Sequence, residues 1–210
     1  MKTVIQIVLV AVAIILAYLL YTSVERPLDF EKAKKERYDA TIERLKDIRK
    51  AELAYKDIHG KFTGSWDTLI NFVKTGELPL VRKIGMLTDS MLEAGWNEKR
   101  ALKEGKIIRD TIYVNVLDTI FGKSYKIDDI KFIPVQDTVA MFQLGAGIIT
   151  TGSGIKVPVF EAKAHNNTIL KGLDRQLVIN LNESRRTNDK YPGLKVGSLE
   201  ETINNAGNWE

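Results

Sequence analysis

The feature that most constrains this chain is an uncharged stretch close to its start. Residues 3–24, TVIQIVLVAVAIILAYLLYTSV, contain no Asp, Glu, Lys or Arg. A helix of these residues would be about 33 Å long, enough to cross a hydrocarbon core of about 30 Å. Gln6 is its one strongly polar side chain, and Tyr18 and Tyr21 lie near its end, where aromatic side chains favour the membrane interface. The stretch predicts a single membrane-spanning helix.

The alternative for this stretch is a cleaved signal peptide. Its apolar run exceeds the roughly 7 to 15 residues that are usual for such peptides, and no Ala-x-Ala site precedes the charged residues that follow. Pro27 can end or bend the helix where it leaves the bilayer. We therefore expect residues 1–27 to form a retained anchor in contact with the lipid bilayer.

The charges beside this stretch bear on its orientation. Lys2 precedes it, and five basic residues follow it closely, namely Arg26, Lys32, Lys34, Lys35 and Arg37. The positive-inside rule, which gives little weight to the acidic residues between them, predicts that the following domain lies in the cytoplasm.

Composition excludes several functional classes. The chain has 210 residues, with 31 basic against 27 acidic residues and a net charge of +4. This small excess is dispersed and forms no basic stripe, so we expect no nucleic-acid partner. The absence of cysteine excludes disulfides, thiol catalysis and cysteine metal sites. Residues 61–210 are long enough for one domain with a real core.

Residues 28–60 read as an amphipathic helical stalk. Apolar residues recur at spacings of three and four, with Glu52 as the polar exception in a stripe formed by Tyr38, Ile42, Leu45, Ile48, Glu52 and Tyr55. Such a narrow stripe suits one partner, either the chain's own domain or another helix. Self-association as a coiled coil is the less favoured alternative, because the repeat lasts barely three heptads. For contacts with a partner we predict Tyr38, Ile42, Leu45 and Ile48.

The remaining chain reads as a small α+β domain with an antiparallel sheet and packed helices. Gly60 ends the stalk helix, and Ser65 can cap a helix over residues 66–74. Residues 85–106 predict helix, turn and helix as a surface excursion, with Asn97 as a cap. Strands are predicted at 107–116, 130–135, 139–149 and 155–164, the last two forming a hairpin around a Gly-rich link, with a further edge strand at 194–196. A helix is predicted at 173–188, with Leu173, Leu177, Asn180, Leu181 and Ser184 on one face.

Residues with catalytic or binding chemistry form no recognised constellation. Gly145-x-Gly147 and Gly152-x-Gly154 lack the lysine and following helix of a phosphate loop, so turn chemistry is favoured. His59 and His165 are far apart and lack metal-ligand spacing.

The acidic and hydroxyl residues give no stronger signal. No calcium loop connects the acidic residues Asp110, Asp118, Asp128, Asp129 and Asp137, and no serine lies in a nucleophile elbow. We therefore predict no catalytic, metal or cofactor-binding residues and a protein that is not an enzyme.

Two tryptophans are candidates for an interface. Trp96 lies in the polar excursion and Trp209 in the C-terminal tail. An exposed tryptophan can anchor a protein partner. Burial against the chain's own domain is the alternative, and it is favoured for both.

The stretch IRKAELAYKDIHGKFT at residues 48–63, followed by WDTL at 66–69, resembles type IV pilins and pseudopilins at the point where the long helix enters the globular domain. The wider chain resembles an uncharacterised set of single-span envelope proteins of Bacteroidota, through residues 172–176, residues 192–198 and the NNAGNWE end. The Gly-Phe-type prepilin cleavage site and the glutamate five residues into the mature helix are absent here, which favours a permanently anchored accessory subunit.

The resemblance implies a non-catalytic interaction subunit of a cell-envelope assembly, pilin-like or secretion-associated. It would be held in the inner membrane with its domain in the periplasm, in contrast to the charge rule, and would contact protein partners. The alternative function is a membrane-tethered ligand-binding or sensor domain, with residues 85–106 roofing its cleft.

Overall fold

The computed structural model describes residues 2–135 and 139–210. The helices are α1 (Lys2–His59), α2 (Trp66–Thr75), α3 (Asp89–Glu93), α4 (Glu98–Lys103), α5 (Val116–Ile120), α6 (Asn166–Ile169) and α7 (Arg175–Thr187). The strands are β1 (Glu77–Ile84), β2 (Ile108–Asn115), β3 (Gln143–Thr150), β4 (Lys156–His165) and β5 (Gly193–Gly197), and a 3-10 helix covers Ile127–Lys131. The fold is a mixture of helix and sheet, as the α+β prediction states.

Helix α1 runs for 58 residues without a break and contains Pro27. It ends as predicted, because Gly60 takes a positive φ of 71° and its N–H donates to the carbonyl of Lys56 at 2.7 Å. In the part of the chain that the structure describes, one helix is long and apolar enough to cross a membrane, and its apolar stretch is not buried. That length and composition are compatible with a membrane anchor and with a signal sequence.

The chain divides into two compact units. Unit 1 comprises Met1–Arg49 and Ile130–Glu210, and unit 2 comprises Lys50–Asp129. Each is described by itself below. The predicted division into an anchor, a stalk and a domain at residues 61–210 stays a prediction.

Unit 2 contains the end of α1, helix α2 and a two-stranded antiparallel sheet. Ser65 caps α2 as predicted, since its Oγ accepts from the N–H of Thr68 at 3.5 Å. Strands β1 and β2 pair over their full length, from Glu77 with Asn115 to Ile84 with Ile108. The predicted excursion, α3 and α4, connects them, and Asn97 Oδ1 caps α4 through the N–H of Arg100 at 2.8 Å.

Unit 1 contains a three-stranded antiparallel sheet in the order β3-β4-β5. The predicted hairpin is confirmed: β3 and β4 pair from Gln143 with Lys163 to Thr150 with Lys156. Strand β5 pairs along the other side of β4. Phe160 and Ala162 of β4 and Leu194 and Val196 of β5 are buried, so they form part of the core.

Two sequence-based expectations are wrong in detail. Residues 130–135 do not form a strand: a 3-10 helix ends at Lys131, and only an isolated bridge joins Phe132 to Met141. Ile127 and Ile130 are both buried, and their spacing of three within the 3-10 helix matches the 3-10 period instead of a strand period. In α7 the buried residues are Val178 and Asn182. The predicted face was therefore offset: Leu177 and Leu181 are half-buried beside these residues, whereas Asn180 and Ser184 are exposed.

Candidate interaction surfaces

The stalk residues that were predicted to contact a partner are buried or half-buried within the chain's own fold. Leu45 and Ile48 have no exposed area, and Ile42 is half-buried. The Tyr38 hydroxyl donates to Asn166 Oδ1 at 2.5 Å. Leu45 and Ile48 thus offer no free surface in this fold. Contact of the four residues with a partner stays a prediction.

Tyr38 joins a buried polar network of unit 1. Asn166 Nδ2 donates to Asn182 Oδ1 at 2.9 Å, and Asn182 Nδ2 donates to Asn167 Oδ1 at 2.8 Å. Asn166 and Asn182 are both buried. Burial also raises the pKa of the Tyr38 hydroxyl, which keeps it protonated and able to donate. The network fixes α1, α6 and α7 to one another, since a buried amide without partners would cost free energy.

Two arginines of α1 extend this attachment. The Arg37 Nη1 donates to the carbonyl of Ile169, the last residue of the short helix α6, at 3.2 Å and to that of Lys171 at 2.7 Å. The Arg49 Nη1 lies 2.7 Å from Glu210 Oε1, and this hydrogen bond holds the pKa of Glu210 below its usual value. The C-terminal tail is therefore tied to the helix.

The outer edge of β5 is covered by the same tail. Asn208 Oδ1 accepts from the N–H of Lys195 at 3.1 Å, and its Nδ2 donates to the carbonyl of Gly193 at 3.0 Å. Main-chain bonds complete the cover, from the Asn208 N–H to the Lys195 carbonyl at 3.0 Å and from the Gly197 N–H to the Ala206 carbonyl at 3.0 Å. Asn208 thus takes the place of a fourth strand.

The opposite edge of this sheet, formed by β3, is open. The Phe142 N–H points outward to the Lys131 carbonyl, and the Thr151 N–H points inward to the Ile155 carbonyl, next to the β4 ladder. Since main-chain groups alternate sides along a strand, those of residues 144, 146, 148 and 150 point away from β4. Within residues 2–135 and 139–210, no main-chain partner is found for these outward groups. The edge residues, QLGAGIIT at 143–150, include no charged residue and no proline.

Trp209 belongs to the tail that covers β5. Its side chain is half-buried, and its ring lies against Gly207, where any side chain would collide with the indole. Trp96 is also half-buried, in the connection between β1 and β2, with the Arg100 guanidinium 4.8 Å from its ring centroid. An interface role for the two tryptophans stays a prediction.

The β1–β2 arm, residues 77–115, presents an apolar face within unit 2. The paired residues Leu78 with Val114, Leu80 with Ile112 and Ile84 with Ile108 share one side of the ribbon, which the charged pair Arg82 with Asp110 interrupts. Four of these side chains, at positions 80, 84, 108 and 112, are exposed. A two-stranded ribbon by itself has little independent stability, so this face is available for further packing.

The buried carboxyl of unit 2 belongs to Glu52, the polar exception in the apolar stripe. Its Oε2 accepts from the N–H of Thr63 at 3.0 Å, and its Oε1 has no hydrogen-bond partner. Burial raises the pKa of Glu52 to about 8, while the bond from Thr63 acts in the opposite direction. The sequence offered this signal, a carboxyl on an apolar face, but not its degree of burial.

Within the described part of the chain, residues with potential catalytic or metal chemistry do not converge. His59 stacks on Tyr55 with ring centroids 4.1 Å apart, and His165 caps α6 by accepting from the N–H of Asn167 at 3.1 Å. Of the predicted turn carboxylates, Asp128 pairs with Lys74 at 2.7 Å, and Asp137 lies outside the described residues. Among the described residues, no group of three or more His, Asp or Glu side chains could hold a metal ion.

One cleft of unit 1 bears on the alternative of a ligand-binding domain. It measures about 370 Å³ and lies beside the connection between α6 and α7, with Lys171, Arg175, Leu170, Leu173, Val178 and Ile179 among its lining residues. The two basic side chains among apolar ones would suit an amphipathic anion. None of residues 85–106, which were predicted to roof a ligand-binding cleft, lines it, and that alternative stays a prediction.

Comparison with known proteins adds no identification. No family model, no curated protein and no solved structure matches this chain.

Proposed function

We propose that this chain is a membrane-anchored, non-catalytic interaction subunit of a cell-envelope assembly. Its N-terminal helix holds it in the inner membrane as a single span, and the remainder binds protein partners outside the lipid. The resemblance to pilins and pseudopilins supports an accessory role in a pilus-like or secretion assembly with the domain in the periplasm.

The observation that carries this proposal is the contrast within α1. Its first part exposes a continuous apolar surface, because large side chains such as Ile7, Leu16 and Leu20 are exposed all around the helix. Its later part, from Phe30 onward, includes buried positions such as Leu45 and Ile48. Exposed apolar surface of that extent is unfavourable in water and favourable in lipid.

The continuity of the helix supports the positioning role. A 58-residue helix is about 87 Å long, and no non-helical residue interrupts it. Arg37, Tyr38 and Arg49 attach its later part to the globular part of unit 1. The helix therefore keeps that part of the chain near a bilayer surface, where a partner in the same envelope layer would meet it.

Fractionation of cells that express the full chain tests the anchor. We expect the protein in the membrane pellet after alkaline carbonate extraction, released only by detergent, with Met1 present by intact-mass measurement. Ile14→Arg together with Leu16→Arg should move it toward the soluble fraction, because each central arginine costs about 2.5–3.5 kcal/mol of insertion free energy. Ile58→Arg, at an exposed position of the same helix, is the matched control and should leave the distribution unchanged.

Recovery of the intact wild-type polypeptide from the soluble fraction without detergent would contradict the proposal. Orientation is tested separately by protease access to a C-terminal tag in spheroplasts. Digestion of the tag supports the periplasmic side, and protection supports the cytoplasmic side that the flanking charges favour.

A further inference from the structure

The two edges of the three-stranded sheet differ in a way that points to a second interaction. At β5 the outward main-chain groups of Gly193, Lys195 and Gly197 are bonded by the C-terminal tail. At β3 the outward groups of residues 144–150 have no main-chain partner in the described chain. Edge strands are usually protected by charge, proline, a bulge or a covering segment, since an open edge pairs with other strands.

Strand β3 has none of these protections within its own span. Residues 143–150 contain no charged residue and no proline, and their register with β4 is continuous from Gln143 to Thr150, which leaves no bulge. Immediately N-terminal to β3, the bridge between Phe132 and Met141 closes the edge. The open segment is therefore bounded and matches the length of β3.

We propose that β3 pairs antiparallel with β3 of a second copy of this chain, related by a two-fold axis at Gly147. In this register Leu144 faces Thr150 of the other copy, and Ala146 faces Ile148. Every outward main-chain group of residues 144–150 then gains a partner in both copies, and the two sheets join into one of six strands.

One observation, one geometric condition and the proposed anchoring favour a second copy as the occupant. Two-fold pairing brings an edge against itself, which like charges would oppose, and this edge is uncharged. The outward residues 144, 146, 148 and 150 are symmetric about Gly147, so self-pairing leaves none unmatched. The inference also rests on the proposed function, because anchoring in one membrane holds the copies at high local concentration.

The chain's lack of cysteine makes a direct test possible. At the two-fold axis Gly147 faces its own copy as a non-hydrogen-bonded pair, whose Cα atoms lie about 4.5 Å apart, within disulfide range. A Cβ at Gly147 meets nothing closer than Leu199 Cδ2 at 3.9 Å, so Gly147→Cys fits the monomer. Gly152→Cys, in the adjacent turn with nothing within 4 Å, is the matched control.

The test uses the full-length chain in native membranes and in detergent, with copper phenanthroline as oxidant. We expect Gly147→Cys to form a cross-linked species of twice 23.7 kDa, at several times the yield of Gly152→Cys. Sedimentation in detergent should give a protein mass of two chains for the wild type. Ile148→Lys should reduce this to one chain, whereas Ile155→Lys should not, although Ile148 and Ile155 are similarly exposed at 66% and 61%.

Equal cross-linking of the two cysteine variants, or a dimer that survives Ile148→Lys, would overturn the proposal. A strand from another protein found on this edge, with no Gly147→Cys dimer, would overturn it as well. The membrane distribution of the same samples separates the two proposals. A membrane-bound chain that does not cross-link supports the proposed anchor and refutes the β3 pairing. A soluble chain that does cross-link supports the pairing and refutes the anchor.

Discussion

The Glu52 side chain accepts a hydrogen bond from the N–H of Thr63 at 3.0 Å and so ties the last turns of α1 to the loop that precedes α2. The other oxygen of this buried carboxyl has no hydrogen-bond partner. An ionised carboxylate is poorly stabilised in such a place, and a protonated one is tolerated better.

The first prediction concerns pH. Because the pKa of Glu52 rises from 4.5 to about 8 on folding, the folded state holds the proton more tightly than the unfolded state. The wild type should therefore lose stability as the pH rises from about 4.5 through about 8, by a few kcal/mol at most. Thermal unfolding of the full chain in detergent should show this loss of stability. At pH 9 the Glu52→Gln variant should be more stable than the wild type. Glu104→Gln, at an exposed position of the same unit, should follow the wild type. A wild-type pH profile that Glu52→Gln does not flatten would contradict the prediction.

The second prediction concerns the asparagine network. Tyr38→Phe removes one hydroxyl and leaves the buried Asn166 Oδ1 without the donor that lies at 2.5 Å in the wild type. The free energy of unfolding should fall by about 1–3 kcal/mol, as expected for an unsatisfied buried polar group. Denaturant unfolding gives this value. Tyr113→Phe, which removes a hydroxyl from an exposed ring, should change it little, and equal effects would argue against the network.

The third prediction concerns Gly197, the last residue of β5. It has a positive φ of 73°, and a Cβ there would meet the Phe160 carbonyl. Gly197→Ala should cost about 1–2 kcal/mol for the left-handed backbone and about 1–3 kcal/mol more for the collision. Gly172→Ala has a φ of 86° and nothing within 4 Å, so it should show the backbone cost alone. Thermal midpoints of the two variants compare the costs, and equal losses would rule out the collision.

The fourth prediction concerns the covered edge. Asn208→Ala removes the bonds to the Lys195 N–H and the Gly193 carbonyl, so hydrogen exchange at the Lys195 amide should accelerate. Asn208→Asp keeps the acceptor but loses the donor, and its exchange rate should lie between those of Asn208→Ala and the wild type. Amide exchange followed by mass spectrometry or NMR measures this order. Unchanged exchange in both variants would show that the Asn208 side chain is not what protects the Lys195 amide.

Local signals made part of this fold predictable. The helix stop at Gly60, the caps at Ser65 and Asn97 and the β3–β4 hairpin all depend on residues within a few positions of one another. Their turn and capping chemistry is legible in the sequence. The spacing of three between Ile127 and Ile130 was also local, but the β-branched and aromatic residues of 130–135 outweighed it and produced a wrong strand.

The candidate surfaces depended on contacts between distant residues, and sequence patterns do not report those. Tyr38 meets Asn166 across 128 positions of the chain. The open edge of β3 is recognisable only by contrast with β5, which the C-terminal tail covers through the Asn208 side chain and main-chain bonds. Glu52 was visible as an exception in the stripe, while its unpartnered oxygen required the fold.

Pro27, inside the continuous helix α1, has a consequence for how an anchored chain would move. Proline has no N–H, so the carbonyl four residues earlier, at Ser23, loses its helical donor at the end of the uncharged stretch. Under the proposed anchoring, that carbonyl lies among lipid headgroups, where water can solvate it. Bending is easiest at this level, so the exterior part of the rod can lean over the surface while the apolar segment keeps its depth.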